Sequence, residues 1–276
     1  MHANWLSHQI TRPVEIGGIG VHSGEHCVVT VKPGIPGGGC WMERAGERWP
    51  VTIDSVVDVE RCTVLGNARQ RVATVEHLLA ALASFNLYDC EIEVQGGEIP
   101  ILDGSALPFV EALRPNLVAG GPVCPYVLEQ PVWVGNESSQ VLALPSDTSR
   151  LHYSLYYPHP QLGYQEVTFA PQQQSFADEL APARTFALEQ EVEWLRAKGL
   201  ARGGSLDNAL VVRSEGFSSP LRLPMEPVRH KCLDLLGDLY LLGRPLQAQV
   251  LAVKAGHRWH TDLVRKMQQE VVGHVG

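Results

Sequence analysis

Histidine and carboxylate residues at helical spacing are the first chemical feature of this sequence. His230 and Asp234 lie four residues apart in a segment whose apolar spacing predicts a helix over 229–243. That spacing places both side chains on one helix face, where an imidazole and a carboxylate can bind one metal ion. An ion pair on a solvated face is the alternative. The leucines around Asp234 and Asp238 favour the metal, because a carboxylate in an apolar segment needs a partner.

Glu76 and His77 form a second candidate pair, near the start of a helix predicted over 74–85. Metal-assisted hydrolysis needs a carboxylate that accepts the proton of a water molecule, and adjacent Glu and His residues can supply base and ligand together. The segment does not have the HExxH pattern of zinc proteases. The alternative for His77 is a histidine that packs at an interface between two domains.

His257 follows Lys-Ala-Gly at the end of a predicted strand, and Gly256 permits a tight turn that exposes the imidazole. We expect it to act as a general acid that protonates a leaving amine, with an ordinary surface histidine as the alternative. A neighbouring carboxylate would favour the charged imidazole, and Asp238 is the candidate neighbour.

Two similar helix–strand units are predicted to position these residues. The helix at 74–85 runs into the alternating strand DCEIEVQ, and the helix at 229–243, with Gly243 as its stop, runs into LQAQVLAVKAG. Further helices are predicted over 107–113 and 186–198.

The Gly- and Pro-rich segment GGPVCPYVLE separates the two units, and it places a domain boundary near residue 123. The sequence therefore predicts an α+β fold with an N-terminal α+β domain over residues 1–122 and a C-terminal α+β domain over 126–276.

Composition limits the classes of function. The 276 residues carry a net charge of −8, which disfavours general binding to nucleic acid. No apolar run is long enough to span a bilayer, and the first residues do not have the pattern of a secretory signal. The six cysteines include no CxxC pair, which is typical of reduced thiols in a cytoplasmic protein.

Seven strings of the sequence closely resemble, in the same order, those of the UDP-3-O-acyl-N-acetylglucosamine deacetylases of lipid A biosynthesis. They span essentially the whole chain and are GIGVHSG, TVEHLLAALA, EIPILDGSALPFV, ARTFAL, GGSLDNALVV, RHKCLDLLGDLYLLG and KAGH. The resemblance implies a zinc hydrolase of two similar layered sheet-and-helix domains, with the active site between them. Its substrate would be a UDP-sugar with a fatty acyl chain.

The resemblance also implies a role for individual residues. His77, His230 and Asp234 correspond to the zinc ligands, and Glu76 to the general base. His257 corresponds to the general acid or oxyanion-stabilising histidine. The remaining catalytic positions are Asp238, which orients that histidine, and Thr185, whose hydroxyl helps hold the developing oxyanion.

Substrate-binding positions follow from the same resemblance. Phe186 corresponds to a residue that lines the site, Lys231 and Lys254 to basic groups near the diphosphate, and His159 to a segment near the nucleotide. The family forms an apolar channel for the acyl chain with an insert in its second domain. The candidates for its lining, for which core packing is the alternative, are Leu188, Val192, Leu195, Leu200, Leu206 and Val211.

The sequence departs from the family pattern after His257, where RWHTD stands in place of ALNN, and we expect this change to alter the rim of the site. Two other functions remain open: a zinc amidohydrolase of another N-acetylated sugar, and a nucleotide-sugar binding protein with structural zinc. The diphosphate lysines and the apolar channel favour the deacetylase. We expect a monomer without stable membrane insertion.

Overall fold

The computed structural model describes residues 5–273. The first half of the chain contains β1 Leu6–Ile10, β2 Val14–Ile19, β3 His26–Pro33, β4 Trp41–Arg44, β5 Glu47–Pro50, β6 Val56–Asp58, β7 Val64–Gly66, β8 Arg71–Val72, α1 Glu76–Ser84, β9 Cys90–Gln95, α2 Leu107–Leu113 and β10 Leu117–Pro122.

The second half contains β11 Tyr126–Val127, β12 Val132–Gly135, β13 Gln140–Pro145, β14 Arg150–Tyr157, β15 Gly163–Phe169, α3 Phe176–Glu179, β16 Phe186–Leu188, α4 Glu189–Ala197, β17 Leu210–Arg213, β18 Gly216–Phe217, α5 Glu226–Leu239, β19 Leu246–Val253 and α6 His257–Gly273. Short 3-10 turns lie at Ile53–Ser55, Arg114–Asn116 and Tyr240–Leu242.

The two halves repeat one sheet topology. The first sheet has the strand order β2-β3-β9-β4-β5, and the second has β12-β13-β19-β14-β15. In each sheet the return strand after the long helix, β9 or β19, pairs antiparallel with one neighbour and parallel with the other. The α+β class is confirmed. The boundary near residue 123 stays a prediction, which is supported by β10 pairing with β1 and β11 with β19.

Helices α1 and α5 pack against each other where the two halves meet, and α5 also packs on α6 and on strands β14 and β15. All residues of α1 except Ser84 are buried, as expected for a helix covered on every side. Helix α5 begins with Pro227 in its first turn, a position where a missing N–H costs nothing. Within residues 5–273, no helix is both long and apolar enough to cross a membrane.

Two predicted helices have different bounds in the structure. The helix predicted over 186–198 begins at Glu189, because Phe186–Leu188 form strand β16, which pairs in parallel with β17. This strand pairing depends on residues distant in the chain and overrides the local helical pattern. The helix predicted over 229–243 begins at Glu226 and ends through a 3-10 turn at Gly243, whose φ of 73° suits the predicted stop.

Candidate active site

Three buried side chains from two helices converge into a set of candidate metal donors. His77 lies in the first turn of α1, and His230 and Asp234 lie one turn apart on α5. The Oδ1 atom of Asp234 is 3.6 Å from Nε2 of His77 and 3.5 Å from Nε2 of His230. Oδ1 is buried and makes no hydrogen bond to any described residue. An unpaired carboxylate oxygen between two imidazole nitrogens fits a metal ion.

The protonation states of this set also suit a metal. The Nδ1–H group of His230 donates to the carbonyl of Ala183 at 3.0 Å, which leaves Nε2 free as a ligand. Burial lowers the pKa of His230 to about 4, so its imidazole is neutral. Burial alone would raise the pKa of Asp234. The ammonium group of Lys231, together with His230, which is protonated at the low pH where Asp234 would titrate, outweighs burial and holds that pKa well below its usual range.

Glu76 is the first residue of α1 and lies beside the three donors. Its Oε2 atom accepts a hydrogen bond from the backbone N–H of Thr63 at 3.0 Å, and its Oε1 atom is 3.8 Å from Nε2 of His257. Burial raises the pKa of Glu76. A carboxylate with a raised pKa, fixed by one hydrogen bond and with its other oxygen free, is suited to accept a proton.

His257 begins α6 and faces Glu76 across the site. Its Nδ1–H group donates to Oδ2 of Asp238 at 2.8 Å, and the hydroxyl of Thr63 donates to the other oxygen of Asp238 at 2.5 Å. Burial would lower the pKa of His257, but the carboxylates of Asp238 and Glu76 outweigh it and raise that pKa to about 9. The imidazole is therefore a cation at neutral pH.

A cavity of about 480 Å³ opens over these groups. Lys254 and Phe186 line it together with Thr185, whose backbone N–H donates to Gly104 at 2.8 Å. Lys231 also lines the cavity, but its Nζ atom donates to Oδ2 of Asp234 at 2.8 Å. The lysine nearest the metal donors is therefore held by one of them.

Two candidate substrate residues lie elsewhere. His159 occupies the turn between β14 and β15 and does not line this cavity. Leu206 is exposed and lines a second cavity of about 530 Å³. The two cavities adjoin, because Ala187, Leu195, Ala201, Gly204 and Ala209 line both of them. Val192 and Val211 line the second cavity as well, whereas Leu188 and Leu200 line neither.

Sequence reasoning missed three residues of the site. Thr63 lies in an unremarkable segment before β7, and His22 lines the cavity from the loop after β2. His260, within the RWHTD string, is buried on α6 and donates to Asp238 at 2.8 Å. The expectation that this string alters the rim of the site stays a prediction: Arg258 and Trp259 line the cavity, while the first turn of α6 carries His260 inward. The only sequence signal for a buried His260 was the mixture of apolar and polar residues after His257.

Glu98 holds the loop that carries His22. Its carboxylate accepts hydrogen bonds from the backbone N–H groups of His22 and Ser23, both at 2.9 Å, and from the hydroxyl of Thr74 at 2.9 Å. Glu98 belongs to the string EIPILDGSALPFV, so this motif supports the wall of the cavity.

Known proteins resemble this chain along nearly its whole length. The family model described as LpxC, UDP-3-O-acyl N-acetylglycosamine deacetylase, matches residues 7–269. A UDP-3-O-acyl-N-acetylglucosamine deacetylase of Synechocystis sp. PCC 6803 is 41% identical over 272 residues, which cover 95% of this chain and 98% of the relative.

Deacetylases with the same name from Leptospira biflexa and Chlamydia felis are each 38% identical. The first alignment covers 96% of this chain and 90% of the relative, and the second covers 95% and 96%. The extent of these matches, together with the order of the motifs, shows that the chain belongs to the UDP-3-O-acyl-N-acetylglucosamine deacetylase family.

Proposed function

We propose that this chain hydrolyses the N-acetyl group of UDP-3-O-acyl-N-acetylglucosamine with a zinc ion held by His77, His230 and Asp234, and releases acetate. The reaction belongs to lipid A biosynthesis. The observation that carries the proposal is the buried, unpaired Oδ1 of Asp234 between two imidazole nitrogens, with Glu76 beside it. Two His and one Asp form a donor set typical of catalytic zinc, which keeps a position open.

Zinc in this site would polarise the amide carbonyl and make a water molecule more acidic. Glu76 accepts the proton of the attacking water, a role that suits its raised pKa and its free Oε1. The hydroxyl of Thr185 donates to the carbonyl oxygen as negative charge develops there. His257, cationic and held by Asp238, delivers a proton to the leaving amine.

The separation of acid and base supports this division of roles. Glu76 and His257 approach to 3.8 Å without a close hydrogen bond, so each can face the substrate. Asp238 binds only the side of His257 that faces away from Glu76, since it contacts Nδ1 and leaves Nε2 to the cavity. A site with structural zinc needs no such base beside the metal.

Substrate binding follows the arrangement of the two adjoining cavities. We propose that the acyl chain enters the second cavity, whose apolar walls include Val192, Leu195 and Val211. Lys254, with its Nζ atom 5.9 Å from the ring centre of Tyr156, supplies positive charge to the diphosphate. Lys231 adds charge while it remains paired with Asp234. His159 stays a weaker candidate for the nucleotide end.

We further propose that the enzyme is a monomer in the cytoplasm. Its cysteines are free thiols, including Cys40 and Cys90, whose Sγ atoms lie 3.4 Å apart. Free thiols at this distance suit a reducing compartment. Analytical ultracentrifugation would detect a dimer and so contradict the monomer.

The decisive experiment combines metal analysis with acetate release. The purified chain should hold about one zinc per molecule, as a single three-ligand site requires. Asp234→Ala and His230→Ala should lose zinc and acetate release together, whereas the control His26→Ala, at an exposed position, should lose neither. Full zinc retention in both ligand variants would remove these residues from the site.

A further inference from the structure

One buried carboxylate serves three donors beside the proposed active site. Oδ2 of Asp238 accepts from Nδ1 of His257 and from Nδ1 of His260, both at 2.8 Å, while Oδ1 accepts from the hydroxyl of Thr63. Asp238 and His260 are both fully buried. The two histidines donate to the same oxygen, so the hydrogen bond from His260 changes how strongly that oxygen binds the proton of His257.

The contacts assign a single protonation state to His260. A carboxylate only accepts hydrogen bonds, so Nδ1 of His260 carries a proton. Its Nε2 atom is buried and has no hydrogen-bond partner among the described residues, and a proton there would be left unpaired. His260 is therefore a neutral imidazole, in agreement with burial lowering its pKa. Its ring and that of Tyr153 are nearly perpendicular, with the ring centres 6.0 Å apart.

Helical geometry lets His260 act through Asp238. His257 and His260 are three residues apart on α6 and share a face, with ring centres 6.0 Å apart. Asp238 comes from α5 and lies against both rings. A second N–H on Oδ2 fixes the carboxylate in its rotamer and takes up part of the negative charge that His257 would otherwise meet alone.

We propose that His260 is a positioning residue for the proton donor. Its Nδ1–H group holds Asp238 in the orientation that aims His257 at the cavity, and it weakens the hold of that carboxylate on the His257 proton. His257 then keeps its proton at neutral pH and yet releases it to an amine. The inference rests on the role proposed for His257.

The effect of His260 on the pKa of His257 can be measured only if the other charges near His257 stay the same. The titratable groups that face it are Glu76 of α1, Asp234 and Asp238 of α5, His22 of the loop after β2, and His260 of α6 itself. Strands β12 and β13, which also pack against α6, contain no titratable residue. On the neighbouring 3-10 turns, Asp54 is exposed and the hydroxyl of Tyr240 donates to Leu87. Substitution of His260 leaves Glu76, Asp234, Asp238 and His22 in the chain, so only the contact of His260 with Asp238 is removed.

A matched pair of variants separates positioning from packing. His260→Leu removes the donor, whereas His260→Asn keeps an N–H group at the same distance along the side chain. In the zinc-loaded enzyme, His260→Leu should lower kcat and move the basic limb of the rate–pH profile up by about 0.5 to 1 unit, because Asp238 then binds His257 alone. His260→Asn should restore the limb, and zinc content should stay unchanged in both. A wild-type limb in His260→Leu would overturn the inference.

A measurement on the native enzyme covers the case in which His260→Leu does not fold. Nitrogen NMR of histidine-labelled, zinc-loaded protein should show His260 as the neutral Nδ1–H tautomer between pH 6 and pH 9. The Nε2–H tautomer, or a charged His260 in this range, would overturn the inference. The tautomer is observed without turnover, so failure of the inference can be told from failure of the proposed function.

Discussion

Gly237 of α5 lies directly against the backbone of Glu76. A Cβ atom at Gly237 would stand only 2.1 Å from the Glu76 carbonyl oxygen, so α5 and α1 approach as closely as they do only because this residue is glycine. The contact falls between Asp234 and Asp238 on one helix and at the start of the other. It thus sets the distance between the two halves of the proposed site.

Gly237→Ala should force the two helices apart. Overpacking of this kind costs about 1–3 kcal/mol, and because α1 carries both His77 and Glu76, zinc affinity and kcat should fall with stability. Thermal unfolding and metal analysis check this. Gly121→Ala is the control, since a Cβ there meets nothing within 4 Å. Normal zinc content and stability in Gly237→Ala would show that the helices can separate without cost.

Glu76→Gln and His77→Ala should differ although the residues are neighbours. Glutamine is nearly the same size as glutamate and Glu76 is not among the metal donors, so zinc should stay in Glu76→Gln while kcat falls by a factor on the order of 10² to 10⁴. His77→Ala should instead weaken zinc binding, and added zinc should restore activity only in part. Zinc titration and acetate release distinguish them. Near-normal activity in Glu76→Gln would exclude Glu76 as the base.

The pH dependence should report His257. Its folded pKa is raised to about 9, so the required imidazolium is present at neutral pH and is lost as pH rises through that value. Activity should therefore fall on the basic side. Asp238→Asn removes the carboxylate that raises this pKa most, and the limb should move to lower pH by about 1 unit or more. His257→Ala should lack the limb. Identical limbs in Asp238→Asn and the wild type would contradict the assignment.

The buried ion pair of Arg184 and Glu226 should matter for stability. The guanidinium Nε atom and the carboxylate are 2.8 Å apart, next to Thr185. Burial alone would raise the pKa of Glu226, but hydrogen bonds from Arg184 outweigh it and lower that pKa. A lowered folded pKa stabilises the protein above the unfolded value near 4.5, and the effect is lost as pH falls through the folded pKa.

Glu226→Gln should therefore cost about 3–5 kcal/mol at pH 7, because the Arg184 charge stays buried. The difference from the wild type should shrink as the pH is lowered. Urea unfolding at several pH values measures both effects. Glu189→Gln, which breaks an exposed pair with Arg213, should cost less than about 1 kcal/mol and is the control. Equal costs for the two variants would argue against the buried pair.

Ala209 lies in the wall shared by the two cavities. If the acyl chain crosses from the first cavity to the second, Ala209→Trp should block it. Because each buried methylene contributes about 0.8 kcal/mol, exclusion of only two would lower kcat/KM about tenfold. A substrate without the acyl chain should be unaffected, as should zinc content. Ala197→Trp, on the exposed side of α4, is the control. Equal loss with both substrates would mean that the acyl chain lies elsewhere.

The local parts of the site were predictable from sequence. His230 and Asp234 share a helix face because a spacing of four residues is one turn, and Gly243 ends that segment because glycine readily adopts positive φ. The order of the motifs was enough to indicate the family and the α+β class. Each of these inferences needs only residues that are close in the chain or strings that are recognised whole.

Contacts between distant segments were decided only by the tertiary structure. The approach of α1 to α5 depends on Gly237, and the start of α4 depends on the pairing of β16 with β17. The hydrogen bond from His260 to Asp238 depends on the direction in which α6 points the His260 side chain. Local periodicity contains no information about such contacts, because they depend on how whole elements pack. The sequence therefore named the three candidate metal donors, whereas the packing of the helices brought them within reach of one another.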